Sequence, residues 1–174
     1  MQQALQVATE RNQNLNIFMR NFADVVRLPE PNKKQIDLHK LIDHIATLMK
    51  ARPEEKEITF EFYFSNERLY FFAEEQQMAQ FLINVVKNAM ESIDEKGIIR
   101  FTTTLNPKKL IVTDTGKGID EQQANEIFTP FFSTKKTGQG IGLTVVKEIL
   151  LNHHFSFGLK TTEPGVTEFE IVLN

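Results

Sequence analysis

The chain has 174 residues, 41% of them hydrophobic, and a formal net charge of −3. That supplies one ordinary core and excludes wholesale disorder, while the charge offers no basic surface for nucleic acid and no polybasic patch for a membrane. Cysteine is absent, which excludes disulfides and thiolate metal sites and fits a reducing compartment; no apolar run approaches the roughly 20 residues that span a bilayer.

Residues 1–27 hold no internal Gly or Pro, and Leu15, Phe18, Phe22 and Val25 fall at a/d spacing, which predicts a helix. Its apolar stripe needs a partner, either the chain's own domain or a second helix in a dimeric bundle. "LPEPNKK" (28–34) carries two prolines and reads as a linker. A helix is predicted over 37–51, with Asp37 as N-cap, then an alternating strand over 57–64. The strongest helical period runs over 74–96 and is expected to stop at Gly97. Strands follow at 98–105 and 109–114. Residues 115–139 show little regular pattern beyond a short helix in "EQQANEIF", and a loop of that length in a compact domain is often a lid. A helix over 140–154 and strands over 155–162 and 166–173 close the chain. Fifteen phenylalanines without a tryptophan predict a Phe-rich core. The order predicts an α+β fold, a two-layer α/β sandwich with a mixed sheet and helices on one face, preceded by a long N-terminal helix.

Four features bear on chemistry. In "GQGIG", Gly138, Gly140 and Gly142 stand directly before a helix. Backbone N–H groups freed of side chains, together with the helix N-terminus, can cradle phosphates; a plain flexible loop is the alternative. Neither a Walker A loop nor the dinucleotide fingerprint is present, since position 143 is Leu143. On the 74–96 helix, Met78, Phe81, Leu82, Val85 and Ala89 mark the buried face, and Asn84, Asn88 and Glu91 form a stripe along its flank. An amide oxygen is a neutral, hard ligand suited to Mg²⁺, although two isolated asparagines are more simply solvated. In "VTDTGKGID", a strand delivers Asp114, and Gly116 and Gly118 follow. A carboxylate there can accept from an exocyclic amine such as adenine's, or can belong to an ordinary turn. In "IFTPFFSTKK", Phe128, Phe131 and Phe132 either act as hinge anchors of a lid or pin a loop to the core, and Lys135 and Lys136 can reach phosphate.

The order of these features resembles the GHKL ATP-binding (Bergerat) fold and, within it, sensor histidine kinases of the nitrogen-regulator type. "LINVVKNAMESI" resembles the N box, "DTGKGI" the first glycine box, "IFTPFFSTK" the F box and "GQGIGLTVVKEIL" the second glycine box. The resemblance runs from about residue 12 to 174 and is most specific over 80–150. It implies two parts: residues 1–30 as the second helix of a dimerisation and phosphotransfer hairpin, and 35–174 as the ATP-binding catalytic domain.

The resemblance implies Mg-ATP as ligand, with Asn88 on Mg²⁺, Asn84 near the phosphates and Asp114 receiving the adenine amine. Gly116 and Gly118 shape the adenine side, Gly138, Gly140 and Gly142 close on the phosphates with Lys135 nearby, and Thr167 lies near adenine. Hydrolases of the superfamily place a glutamate where Asn84 stands, to activate water. A neutral amide is a poor general base, so an external nucleophile, a histidine, is expected to take the γ-phosphoryl. His39, His44, His153 and His154 do not match the family's acceptor motif, so the phosphoacceptor is expected outside this chain, and no catalytic residue is assigned. His153 and His154 read as a helix end that favours imidazolium. The family's "HGG" is "HHF" here, which implies a turn built differently, and Glu91 stands where a basic residue is usual. The implied partners are the missing acceptor helix, a response regulator receiver domain and a second copy of the full-length kinase, with no nucleic acid and no membrane contact. The implied location is cytoplasmic, with the whole protein anchored at the inner membrane. Competing readings are a non-catalytic nucleotide-responsive module, an anti-sigma-type serine kinase and a GHKL hydrolase, the last disfavoured by Asn84.

Overall fold

The computed structural model describes residues 28–51, 56–120, 124, 126–133 and 140–174. The predicted helix 1–27 lies outside the described residues, as do Lys135, Lys136 and Gly138. The order is β1 (Lys34–Asp37), α1 (Leu38–Lys50), β2 (Glu57–Tyr63), β3 (Tyr70–Ala73), α2 (Glu75–Ser92), β4 (Lys96–Leu105), β5 (Lys108–Asp114), α3 (Gly142–His153), β6 (Ser156–Glu163) and β7 (Val166–Val172).

Five strands form a mixed sheet in the order β2-β4-β5-β7-β6, in which β2 runs parallel to β4 and the other pairs are antiparallel. Period-2 alternation sends Ile99 and Phe101, Leu110 and Val112, and Phe169 and Ile171 into the core, where the three helices pack. The opposite face is charged: Glu61 pairs with Arg100 at 2.9 Å and Glu168 with Lys160 at 3.8 Å. The two-layer α+β architecture and the Phe-rich core are thus present, with Phe60, Phe71, Phe81, Phe101, Phe155 and Phe169 buried.

Asp37 caps α1 as predicted, its Oδ1 accepting from the Lys40 N–H at 3.2 Å. Burial works against its charge, but the Arg68 guanidinium at 2.6 Å and the Lys40 N–H outweigh it and hold the carboxyl below its usual range. His39, in the first turn of α1, bonds Thr103 Oγ1 on β4 at 2.9 Å and stacks on Phe64 at 4.3 Å.

Two expectations need correction. Residues 28–33 are irregular, in keeping with the linker reading, but Lys34 opens β1, which pairs with β3, itself unpredicted, as a separate two-stranded sheet. The strongest helix ends at Ser92, because Ile93 turns to an extended conformation (φ −79°, ψ 131°); Lys96 and Gly97 open β4 instead of ending the helix. Residues 121–123 and 125 of the short helix expected in "EQQANEIF" lie outside the described residues; next to them the Ala124 N–H donates to the Asp120 carbonyl at 3.0 Å.

Candidate functional site

α2 carries the candidate amides on its flank. Its buried stripe, Met78, Phe81, Leu82, Val85, Val86 and Ala89, packs into the core and leaves Asn84 and Asn88 half-exposed beside it. The Asn84 Nδ2 donates to the Gln80 carbonyl at 3.0 Å, which fixes the amide's orientation. α3 then brings its first residue to this flank. A Cβ on Gly142 would lie 3.2 Å from Asn84 Oδ1 and 4.0 Å from Asn88 Nδ2. Ile141, the N-cap of α3, offers no side-chain oxygen to the first N–H groups of the helix. An uncapped helix N-terminus beside two amides is suited to an anion.

The other end of the flank meets β5. Asp114 is the last residue of β5 and is buried; it sits opposite Ile99 of β4 and Thr167 of β7. Directly opposed residues hold their Cβ atoms about 5 Å apart, which puts Thr167 next to Asp114. Asp114 Oδ1 accepts from the Gly116 N–H at 2.9 Å and from Ser92 Oγ at 2.8 Å. Gly116 is obligatory: a Cβ there would collide with Ser92 Oγ. Gly118 has φ 81° and Gly140 φ 65°, the left-handed region that glycine tolerates.

Asn84, Asn88 and Ser92 succeed one another at four-residue intervals, so they share one flank of α2 and span roughly 12 Å along its axis. The sequence stripe had Glu91 as its third member. In the structure Glu91 is exposed and ion-paired with Lys87 at 3.8 Å, while Ser92 makes the connection to Asp114. Ser92 was missed; its position four residues beyond Asn88 was the available signal. An open hollow of about 750 Å³ also borders α2, lined by Lys56, Met90, Glu91 and Asp94, but it shares no residue with the candidate set.

The described segments on either side of residues 134–139 are tied together. The Phe131 N–H donates to the Gly140 carbonyl at 2.9 Å, and a Cβ at 140 would run into the Phe131 backbone. Phe128 packs on Phe157 (5.3 Å) and Phe169 (6.4 Å), anchoring one end to β6 and β7, whereas Phe131 is exposed at φ 69°. Of the candidate residues, Asn84, Asn88 and Gly142 meet at one end, Asp114, Gly116 and Thr167 at the other, with Gly118 and Gly140 in the adjoining loops.

The histidine expectation at the end of α3 is corrected. His153 is buried; its Nδ1–H donates to the Ile149 carbonyl at 2.7 Å and Nε2 accepts from the Glu74 N–H at 3.0 Å, which requires the neutral ring. Burial pushes its pKa below the usual value, against the opposing effects of the Ile149 carbonyl and Glu74. The turn after α3 needs no glycine, because His154 itself takes the left-handed conformation (φ 61°, ψ 34°) and closes the helix with bonds to Leu150 and Leu151.

The family model described as "Histidine kinase-, DNA gyrase B-, and HSP90-like ATPase" matches residues 73–174. The sensor histidine kinase ZraS of Escherichia coli (strain K12) is 32% identical over 173 residues, 98% of this chain and 37% of that protein. Sporulation kinase A of Bacillus subtilis (strain 168) is 33% identical over 147 residues, 82% of this chain and 24% of that protein. The chain therefore spans well under half the length of either relative. Among solved structures, a nucleotide-free catalytic domain of histidine kinase ThkA is 31% identical with a TM-score of 0.71, covering 82% of this chain and 98% of that one. ThkA solved in complex with response regulator protein TrrA is 26% identical with a TM-score of 0.75, covering 98% of this chain and 51% of that one. The chain belongs to the histidine kinase-, DNA gyrase B- and HSP90-like ATPase family, among the catalytic domains of sensor histidine kinases.

Proposed function

We propose that the chain binds Mg-ATP along the α2 flank and transfers the γ-phosphoryl to a histidine on another polypeptide segment, as the catalytic part of a two-component sensor histidine kinase. The observation that carries this reading is the meeting of Asn84 and Asn88 with the first residue of α3. In this reading the triphosphate lies at that meeting, facing the N–H groups of α3, and Lys135 and Gly138 belong to the same phosphate end. The adenine lies some 12 Å away along α2, its amine donating to Asp114 beside Thr167, with Gly116 and Gly118 shaping that end.

The donor set fits Mg²⁺. Among the described residues no group of three or more His, Cys, Asp or Glu side chains is placed to hold a metal ion. Magnesium commonly needs only one or two protein oxygens besides water and substrate phosphates, and the Asn88 amide oxygen supplies one. When bound, the ion neutralises phosphate charge.

Asn84 favours transfer over hydrolysis. Its amide cannot take a proton from water at neutral pH, so it orients the phosphate end without activating a water molecule. An incoming imidazole nitrogen forms the new P–N bond while the β,γ-bridging oxygen departs with ADP, so the nucleophile must arrive from outside. His39 and His153 are buried and hydrogen-bonded, unsuited to that role. The complex of ThkA with its response regulator supports a receiver domain as the later acceptor. We extend the reading to residues 1–30 as part of a dimerisation hairpin, to a homodimer of the full-length kinase, and to a cytoplasmic domain of a protein held at the inner membrane. No described helix is long and apolar enough to cross a membrane.

The test is a phosphotransfer assay with labelled ATP, Mg²⁺ and a separately supplied acceptor hairpin from the full-length kinase. Acid-labile label on the hairpin, and none on this chain, is expected. Nucleotide binding without transfer would replace the kinase reading with that of a regulatory module.

A further inference from the structure

We infer that Ser92 is a positioning residue for the base-reading carboxylate of Asp114 and sets the site's preference for a purine bearing an exocyclic amine. The inference rests on the nucleotide reading above.

Ser92 holds residues 114–117 from two sides. Its Oγ lies 2.8 Å from Asp114 Oδ1, and its backbone carbonyl accepts the Lys117 N–H at 3.2 Å. Between these bonds the Gly116 N–H reaches the same Oδ1 at 2.9 Å, and no side chain fits at 116 because Ser92 Oγ occupies that space. The Ser92 hydroxyl proton has two acceptors within reach, Asp114 Oδ1 and the Ala89 carbonyl at 2.7 Å. A charged acceptor forms the stronger bond. The Ala89 carbonyl also receives the Ile93 N–H at 3.3 Å, so it keeps a partner when the hydroxyl turns to Asp114.

The consequence is chemical as well as steric. The terminal torsion of an aspartate is broad, so a carboxylate at a strand end swings unless donors pin it. Two donors converging on Oδ1 fix the carboxylate plane and hold that oxygen as a hydrogen-bond acceptor. A group in that state pairs with an amino substituent and repels a carbonyl oxygen. Adenine and hypoxanthine differ at that position, and sites built on such buried polar pairs discriminate well. Without the Ser92 donor, the amine loses a well-aimed partner, while a 6-oxopurine, which never had one, loses nothing.

Calorimetric titration with Mg²⁺ and either ADP or IDP tests this in wild type, Ser92→Ala, the near-isosteric Ser92→Cys with its weak donor, and Ser92→Thr. The expected result is an ADP affinity lowered about tenfold in the Ala and Cys variants, IDP affinity unchanged, and the ADP-to-IDP ratio kept in the Thr variant. Circular dichroism establishes folding, and the Cys variant carries the test if the Ala variant melts. An unaltered ratio in a folded Ala or Cys variant overturns the inference, as does equal loss of both nucleotides, which would mark Ser92 as purely architectural. Wild-type protein that binds no ADP would instead overturn the nucleotide reading itself, so the two failures are distinguishable.

Discussion

Replacing Gly142 with alanine separates stability from ligand binding. Gly142 is the first residue of α3, and its φ lies outside the left-handed region, so alanine fits the backbone there. The substitution reduces unfolded-chain entropy, worth about 0.4–1 kcal/mol of stabilisation at a compatible site. Against this, the new Cβ would stand 3.2 Å from Asn84 Oδ1, closer than a relaxed contact, so Asn84 must shift by a few tenths of an ångström. That shift strains its bond to the Gln80 carbonyl, whose net worth is about 1 kcal/mol. The two effects nearly cancel, so the melting temperature should stay within about 4 °C of wild type. Binding should not be spared. The methyl group fills the space between the α3 N-terminus and the Asn84–Asn88 pair, where the proposed phosphates must lie. We expect Mg-ATP affinity to fall at least tenfold, about 1.4 kcal/mol. Differential scanning calorimetry and isothermal titration on the same preparation measure both quantities. Wild-type affinity in a Gly142→Ala protein of unchanged stability would refute the placement of the triphosphate.

Asp114→Ala removes the acceptor for Ser92 Oγ and the Gly116 N–H, so a stability loss of about 1–3 kcal/mol should accompany loss of adenine nucleotide binding, with the fold retained by circular dichroism; full ATP affinity would contradict the base-reading role. Asn88→Asp is expected to weaken nucleotide binding or transfer in a folded protein, and unchanged values of both would remove Asn88 from the site. Acid should destabilise the protein through His39 and His153. Burial lowers both folded-state pKa values beneath the unfolded value, so the unfolded chain binds protons first; their stabilisation is full above about pH 6.5 and is lost as pH falls through the folded values. Urea midpoints at pH 7.5 and 5.5 should therefore differ less in His153→Gln than in wild type, and an identical difference would refute the neutral-ring assignment. Finally, the chain incubated alone with labelled ATP should carry no acid-labile phosphate, and label on His39, His44, His153 or His154 would contradict the external-acceptor account.

The placement of the candidate residues on their elements was legible where a local pattern fixes it. The helical period of α2 set Asn84 and Asn88 on one flank, and an alternating strand followed by glycines set Asp114 at a strand end, but the reading of these residues as one site came only with the family resemblance. What stayed hidden depends on contacts distant in sequence. β1 and β3 have four residues each and exist because Ile36 pairs with Phe71 across the ribbon, which no local pattern in "KQID" announces. The end of α2 was misplaced because Gly97 looked like a terminator, whereas the extended backbone of Ile93 and the pairing of Lys96 with Glu57 end the helix sooner. Ser92 escaped notice because its importance lies in its reach to Asp114, 22 residues onward. His153 looked like a solvated helix terminus because its partner, the Glu74 N–H, lies 79 residues away in the chain.

Isothermal titration of ATP into wild-type protein, with Mg²⁺ and again with a chelator, bears most directly on the account. Saturable one-to-one binding that weakens sharply when Mg²⁺ is removed is the predicted result. No heat with Mg-ATP on material shown to be folded would contradict the central claim.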